Sequence, residues 1–152
     1  MMTIALIDKF PILRKGLSWH LQENFEEVNV LSSESIDHFY RQFPDQKPDL
    51  TILGINQHPG TRDTDCVRIW KNRNPDGKII IYDEKPDPDM VAYYLRANIN
   101  GYISKQNTIA ELNECIRTVL SGKRYVCPEV SDSAYNEDVL GESKGNTGDI
   151  SE

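Results

Sequence analysis

Several short apolar runs of this chain end on residues able to do ionic chemistry. "TIALI" runs into Asp8 and Lys9, and "LTIL" runs into Gly54, Ile55 and Asn56. "KIIIY" closes on Tyr82 with Asp83 behind it, and "GYIS" stops at Lys105. If the runs are neighbouring strands, one edge of a sheet collects carboxylate, ammonium, carboxamide and phenol groups. Gly54 brings no side chain to that edge. A glycine within an apolar strand weakens it, so the residue that belongs at position 54 is the question the sequence poses.

Other reactive residues are scattered. Cys66, Cys115 and Cys127 are odd in number and widely spaced, which suits reduced thiols and not a disulfide framework. Cys115 falls on the apolar side of a helical pattern, where a thiol acts as a small hydrophobe. His20, His38 and His58 share no metal-ligand spacing with each other or with the cysteines. The formal charge of −7 is unevenly placed: residues 131–152 hold six acids against the single base Lys144. The remaining body is nearly neutral and has no basic stripe, which argues against nucleic-acid binding by this chain alone. No apolar run is long enough to span a membrane. "MMTIALID" has neither the basic start nor the long apolar stretch of a signal peptide, so the expected location is cytoplasmic.

The elements that must position these residues alternate between strand and helix. Strands are expected at 3–7, 28–31, 49–55, 78–82 and 101–104. Pro11 suits the first turn of a helix carrying Leu13, Leu17 and Leu21. Ser33 is the expected cap of a second helix, "SESIDHFYRQF". Further helices are expected at 64–74 and 87–99. The clearest helix holds Ile109, Leu112, Ile116, Val119 and Leu120 at three-and-four spacing, with Gly122 just past its end. The length suits about one domain, placed at 1–130. Strand and helix in alternation predict an α/β domain, doubly wound around a parallel five-stranded sheet in the flavodoxin-like (βα)5 order 2-1-3-4-5. In such a sheet ligands gather outside the carboxyl ends of the strands, at the switch point between strands 1 and 3. That point is where Asp8 and Gly54 fall.

Three stretches resemble one family. They are "ALIDKFPILRKGL", "PDLTILGINQHPG" and "NGYISKQNTIAELNECIRTVLSGKRYVCPEV". They are similar to bacterial response-regulator receiver domains of two-component systems, in the NarL-like branch that carries a C-terminal LuxR-type helix-turn-helix. The resemblance runs from about Thr3 to Val130. It implies two acids after strand 1 that hold Mg²⁺, an aspartate ending strand 3 that accepts a phosphoryl group, a Thr or Ser ending strand 4, and a Lys after strand 5. In that chemistry the aspartate is the nucleophile, metal and Lys neutralise the transferring charge, and the hydroxyl reads the new oxygens.

This chain departs from the pattern. Asp8 is kept, but Lys9 stands at the second acid, Gly54 at the acceptor and Tyr82 at the hydroxyl position; Lys105 is kept, and Asn56 stands where a backbone carbonyl would meet the metal. Glycine cannot form an acyl phosphate. Mg²⁺ binding is expected weak or absent, and no cofactor is expected, because Asp8 alone would serve as a charged ligand. Lys9 and Lys105 are expected to pair with Asp8 in a self-neutralised cluster. Asp83 and Glu84, alternative acceptors just past strand 4, are read as solvated loop acids.

The expected role is that of a degenerate receiver, not an enzyme, acting as a protein-interaction and regulatory module N-terminal to a DNA-binding domain absent from this chain. Its interaction face would use Tyr93, Tyr94, Arg96 and Tyr102, since aromatics and Arg favour interface centres. Tyr102 matches the family's switch aromatic and is expected to be held in one state. Partners would be its own effector domain, a histidine kinase or another regulator, with a homodimer possible and no direct nucleic-acid contact. The tail 131–152 reads as an acidic polar linker with room for one short helix at 131–141. The competing readings are an active phosphorelay receiver with another acceptor, a stand-alone adaptor, and a flavin protein on the same fold. The last lacks its phosphate loop, since "DKFPILRKG" follows strand 1.

Overall fold

The computed structural model describes residues 1–56 and 65–130. The expectations for His58 and for the tail at 131–152 lie outside these residues. The described elements are β1 (Met2–Ile7), α1 (Pro11–Asn24), β2 (Val28–Ser33), α2 (Ile36–Gln42), β3 (Leu50–Ile55), α3 (Asp65–Arg73), β4 (Lys78–Asp83), α4 (Pro88–Arg96), β5 (Gly101–Ser104), α5 (Ile109–Leu120) and β6 (Tyr125–Val126). All strand pairs are parallel, in the order β2-β1-β3-β4-β5-β6. The flavodoxin-like order is therefore as expected, with a sixth strand added at the edge. β6 is only two residues long, Tyr125 and Val126 paired with Gly101 and Tyr102, too short to leave a periodic signature.

The helix ends follow from local chemistry. Pro11 opens α1 at a position whose N–H has no partner in a helix. In α2 the cap is Ser35, whose hydroxyl accepts from His38 N at 3.1 Å; Ser33 instead ends β2 and is buried. Strand β2 outruns its expected end by two residues, which moves the cap along with it. Asp87 caps α4, and Asn98 at φ 64° follows its last turn, which stops the helix short of residue 99. Helix α5 opens on a full capping box between Thr108 and Glu111 and is followed by Gly122 at φ 95°.

Two helical layers enclose the sheet. His20 bonds Asn113 at 2.8 Å, joining α1 to α5 on one side. Phe39 meets Trp70 edge-on at 5.3 Å, joining α2 to α3 on the other, and Lys71 caps the end of α4 through Ala97 O and Asn98 O. Being covered on both faces, β4 has no need of alternation: Ile79, Ile80 and Ile81 are all buried. Each such side chain contributes about 1.5–3 kcal/mol of transfer free energy. Gly101 is required by close approach, because a Cβ there would stand 2.9 Å from both Ile80 and Val119 and 3.2 Å from Cys115 Sγ. The result is a rigid platform whose carboxyl edge carries the residues of interest.

Candidate functional site

Register fixes which residues meet at that edge. Ile7 pairs with Leu53 and Gly54 with Tyr82, so Asp8, Gly54 and Tyr82 rise on one face. Lys105 reaches in from the end of β5. Its ammonium bonds Asp8 Oδ2 at 2.6 Å and Asn56 Oδ1 at 2.8 Å. The other Asp8 oxygen accepts from Phe10 N at 2.9 Å, and the Asp8 carbonyl accepts from Arg14 at 2.6 Å. Asp8 is 2% exposed, so this is a buried carboxylate with its charge met by one lysine and a backbone donor.

Gly54 explains the position of that carboxylate. A Cβ built on Gly54 would lie 1.8 Å from Asp8 Oδ2 and 2.6 Å from its Cγ. No real Cβ tolerates such distances, so the space where a side chain at 54 would begin is filled by Asp8 itself. Tyr82 stands beside the pair with its ring 5.9 Å from Lys105 Nζ, and Phe10 approaches the same ammonium at 5.5 Å. Burial, and secondarily the Asp8 charge, pushes the Tyr82 phenol above its ordinary range.

Lys9 does not join the cluster. It is exposed and lies over the Phe10 ring at 5.3 Å, with no bond to Asp8. The expected three-membered ion cluster is thus one pair, Asp8–Lys105, extended by Asn56. Successive residues of an extended chain point to opposite sides, which sends Lys9 outward once Asp8 turns in.

Asp83 corrects the sequence reading further. Strand β4 ends on Asp83, not Tyr82, so Asp83 holds the strand-terminal position, and it is fully buried where a solvated loop acid was expected. It shares a sheet face with Tyr102, since Ile81 pairs with Tyr102 and Asp83 with Ser104. The Tyr102 hydroxyl donates to Asp83 Oδ2, and Lys85 N donates to Oδ1 at 3.1 Å. The Asp83 carbonyl accepts from Lys105 N at 2.7 Å. Burial raises the Asp83 carboxyl, with the Tyr102 and Lys85 hydrogen bonds and the Lys105 charge opposing it. Burial, then the bond to Asp83, pushes the Tyr102 phenol far up. Sequence reasoning missed the pair because an acid after an apolar strand looks like the start of a loop. Its place four residues before the acidic "DPD" capping segment gave no contrary signal.

The expected interaction face divides. Tyr93 is 39% exposed and Arg96 is exposed, whereas Tyr94 and Tyr102 are core residues whose rings lie 6.1 Å apart. Of these four residues only Tyr93 and Arg96 lie on the surface. At Gly54 a cleft of about 430 Å³ opens, with Asp8, Asn56, Ile36, Cys66 and Ile69 among its walls. Among the described residues no cluster of three or more His, Cys, Asp or Glu is arranged to hold a metal, and no helix is long and apolar enough to cross a membrane.

Comparison with known proteins agrees with this fold. Residues 4–117 match the family model described as the response regulator receiver domain. The chain is 28% identical to the oxygen regulatory protein NreC of Staphylococcus carnosus, covering 97% of this chain and 69% of that protein. It is 26% identical to the transcriptional activator protein ExaE of Pseudomonas putida, covering 95% and 67%. Against NreC of Staphylococcus epidermidis it spans 62% of the relative's length. Among solved structures, a LuxR-family two-component response regulator from an Aurantimonas species superposes with TM-score 0.76 at 22% identity, covering 90% of this chain and 97% of the other. The isolated receiver domain of RcsB from Salmonella enterica, solved with the phosphomimetic BeF₃⁻, gives TM-score 0.74 at 22% identity, covering 87% and 97%.

Proposed function

The chain belongs to the response-regulator receiver family, and from that premise we propose that it is a receiver that takes no phosphoryl group at position 54 and acts as a protein-interaction and regulatory module. One observation carries the reading: the Asp8 carboxylate, bonded to Lys105, lies where a side chain at residue 54 would begin. The pocket has no nucleophile there and no room for one while Asp8 stays in place.

The site also does not fit Mg²⁺. That ion wants octahedral oxygen ligation, usually with one or two carboxylates free to bind it. Here the Asp8 carboxylate is already paired with an ammonium, and Lys9 follows it in the chain. Binding Mg²⁺ would require breaking a buried ion pair before any ligand is gained. The proposed domain therefore binds partners and turns nothing over.

The finer assignment, also proposed, is a cytoplasmic LuxR-family regulator in which this domain is followed by a DNA-binding effector. What supports it is the similarity to NreC and ExaE, of which this chain covers about two thirds. The partner classes are that effector domain, a histidine kinase or a second regulator. Tyr93 and Arg96 on α4 are the recognition residues proposed for them.

The test is incubation with a small phosphodonor and Mg²⁺, followed by intact-mass measurement. The expected result is no added phosphoryl mass. A stoichiometric gain mapped to an aspartate would overturn the reading in favour of an active receiver with another acceptor.

A further inference from the structure

Tyr102 and Asp83 are both fully buried and belong to neighbouring strands. The Tyr102 side chain has one polar atom, and it points at Asp83 Oδ2. Turning the ring outward would strip a buried carboxylate of a side-chain donor, and hydrogen bonds to ionisable acceptors are the strong ones. The rest of the environment reinforces the inward position. Lys85 N holds the other Asp83 oxygen at 3.1 Å, the Tyr94 ring lies 6.1 Å from the Tyr102 ring, and Cys127 N bonds the Tyr102 carbonyl at 3.0 Å. Lys105 links this group to the Asp8–Gly54 site, with its backbone N–H on Asp83 O and its ammonium on Asp8.

We infer that Asp83 is a built-in acceptor that latches Tyr102 inside the domain, so that the edge formed by α4 and β5 is fixed in one state without covalent modification. The latch deepens the reading above by naming what would hold the surface in the absence of phosphoryl transfer. Asp83 thereby acts as a positioning residue for Tyr102, and the contact surface offered to partners, Tyr93 and Arg96 included, is set by sequence.

The experiment uses ring-labelled tyrosine and NMR on the whole chain. In the native protein the Tyr102 ring should give one signal without millisecond exchange, and its hydroxyl proton should be protected from solvent. In Asp83→Ala the ring should exchange between positions, and the hydroxyl should exchange about tenfold faster or more, the factor a lost hydrogen bond to a charged group allows. If Asp83→Ala does not fold, Tyr102→Phe keeps the ring and removes only the hydroxyl; there the Asp83 carboxyl should titrate at higher pH than in the native protein. Two populated Tyr102 positions in the native protein, an unchanged hydroxyl in Asp83→Ala, or an unmoved Asp83 titration in Tyr102→Phe would each overturn the latch. None of these readouts involves a phosphodonor. Phosphorylation with Tyr102 still latched would sink the functional reading alone, and a mobile Tyr102 in an unphosphorylatable protein would sink the latch alone.

Discussion

The Asp8 carboxylate lies directly over Gly54, with Oδ2 1.8 Å from where a Cβ would be. The glycine is thus a requirement of the present arrangement, because any side chain there displaces Asp8 from Lys105. Gly54→Ala should destabilise the domain by about 1–3 kcal/mol, the range for overpacking a filled site. Urea denaturation measures this, and an alanine variant as stable as the native protein would show that Asp8 moves aside freely.

Restoring an acid is a separate matter. Gly54→Asp alone should remain unphosphorylated, because Lys9 still follows Asp8 where the family has its second acid. The double change Lys9→Asp with Gly54→Asp should gain phosphoryl mass in the presence of Mg²⁺ and a small phosphodonor. Rapid labelling of the single variant would show that Lys9, whose side chain is exposed, is no obstacle.

Lys105 meets a carboxylate whose side chain is 1% exposed, and it is itself only 10% exposed. Removing one member of a buried pair leaves an uncompensated charge, at a cost of about 3–5 kcal/mol. Lys105→Met should therefore lower the stability by an amount near that range, read from the denaturation midpoint. Asn56→Ala, which removes the hydrogen bond that the Lys105 ammonium donates to Asn56, should cost about 1.5 kcal/mol or more.

Asp83 gives the pH dependence. Its folded carboxyl is raised above the unfolded value by burial, so the folded state holds the proton more readily. The stabilising contribution is complete below about pH 4, near the unfolded value, and is lost as pH rises through the folded one. Asp83→Asn removes that loss. The stability difference between variant and native protein should move in the variant's favour as pH climbs from about 4, and then level off. A flat or opposite trend in a denaturation series would count against a raised Asp83.

The path from sequence to this site was uneven. The strand order was legible because each strand is a bounded apolar run and each helix, α5 above all, keeps three-and-four spacing. The meeting of Asp8, Gly54, Asn56 and Lys105 followed from that order, since a parallel sheet delivers every strand's carboxyl end to one edge. The burial of Asp83 was not legible. An acid is placed inside only by a distant partner, and Tyr102 reaches it across a strand pairing that no local pattern encodes. Lys9 was misplaced because adjacency in sequence suggested adjacency in charge, whereas an extended backbone turns neighbouring side chains apart. The sheet's sixth strand, held by two residues, was below the length at which periodicity speaks.

The most direct test of the central claim is a backbone-amide NMR titration with Mg²⁺ and then beryllofluoride, the mimic of an aspartyl phosphate. The account predicts no saturable shifts at Asp8, Gly54, Tyr82, Asp83 or Lys105, because Asp8 is committed to Lys105 and position 54 offers no carboxylate. Saturable shifts at those residues would contradict it and return the domain to the phosphoryl-binding receivers.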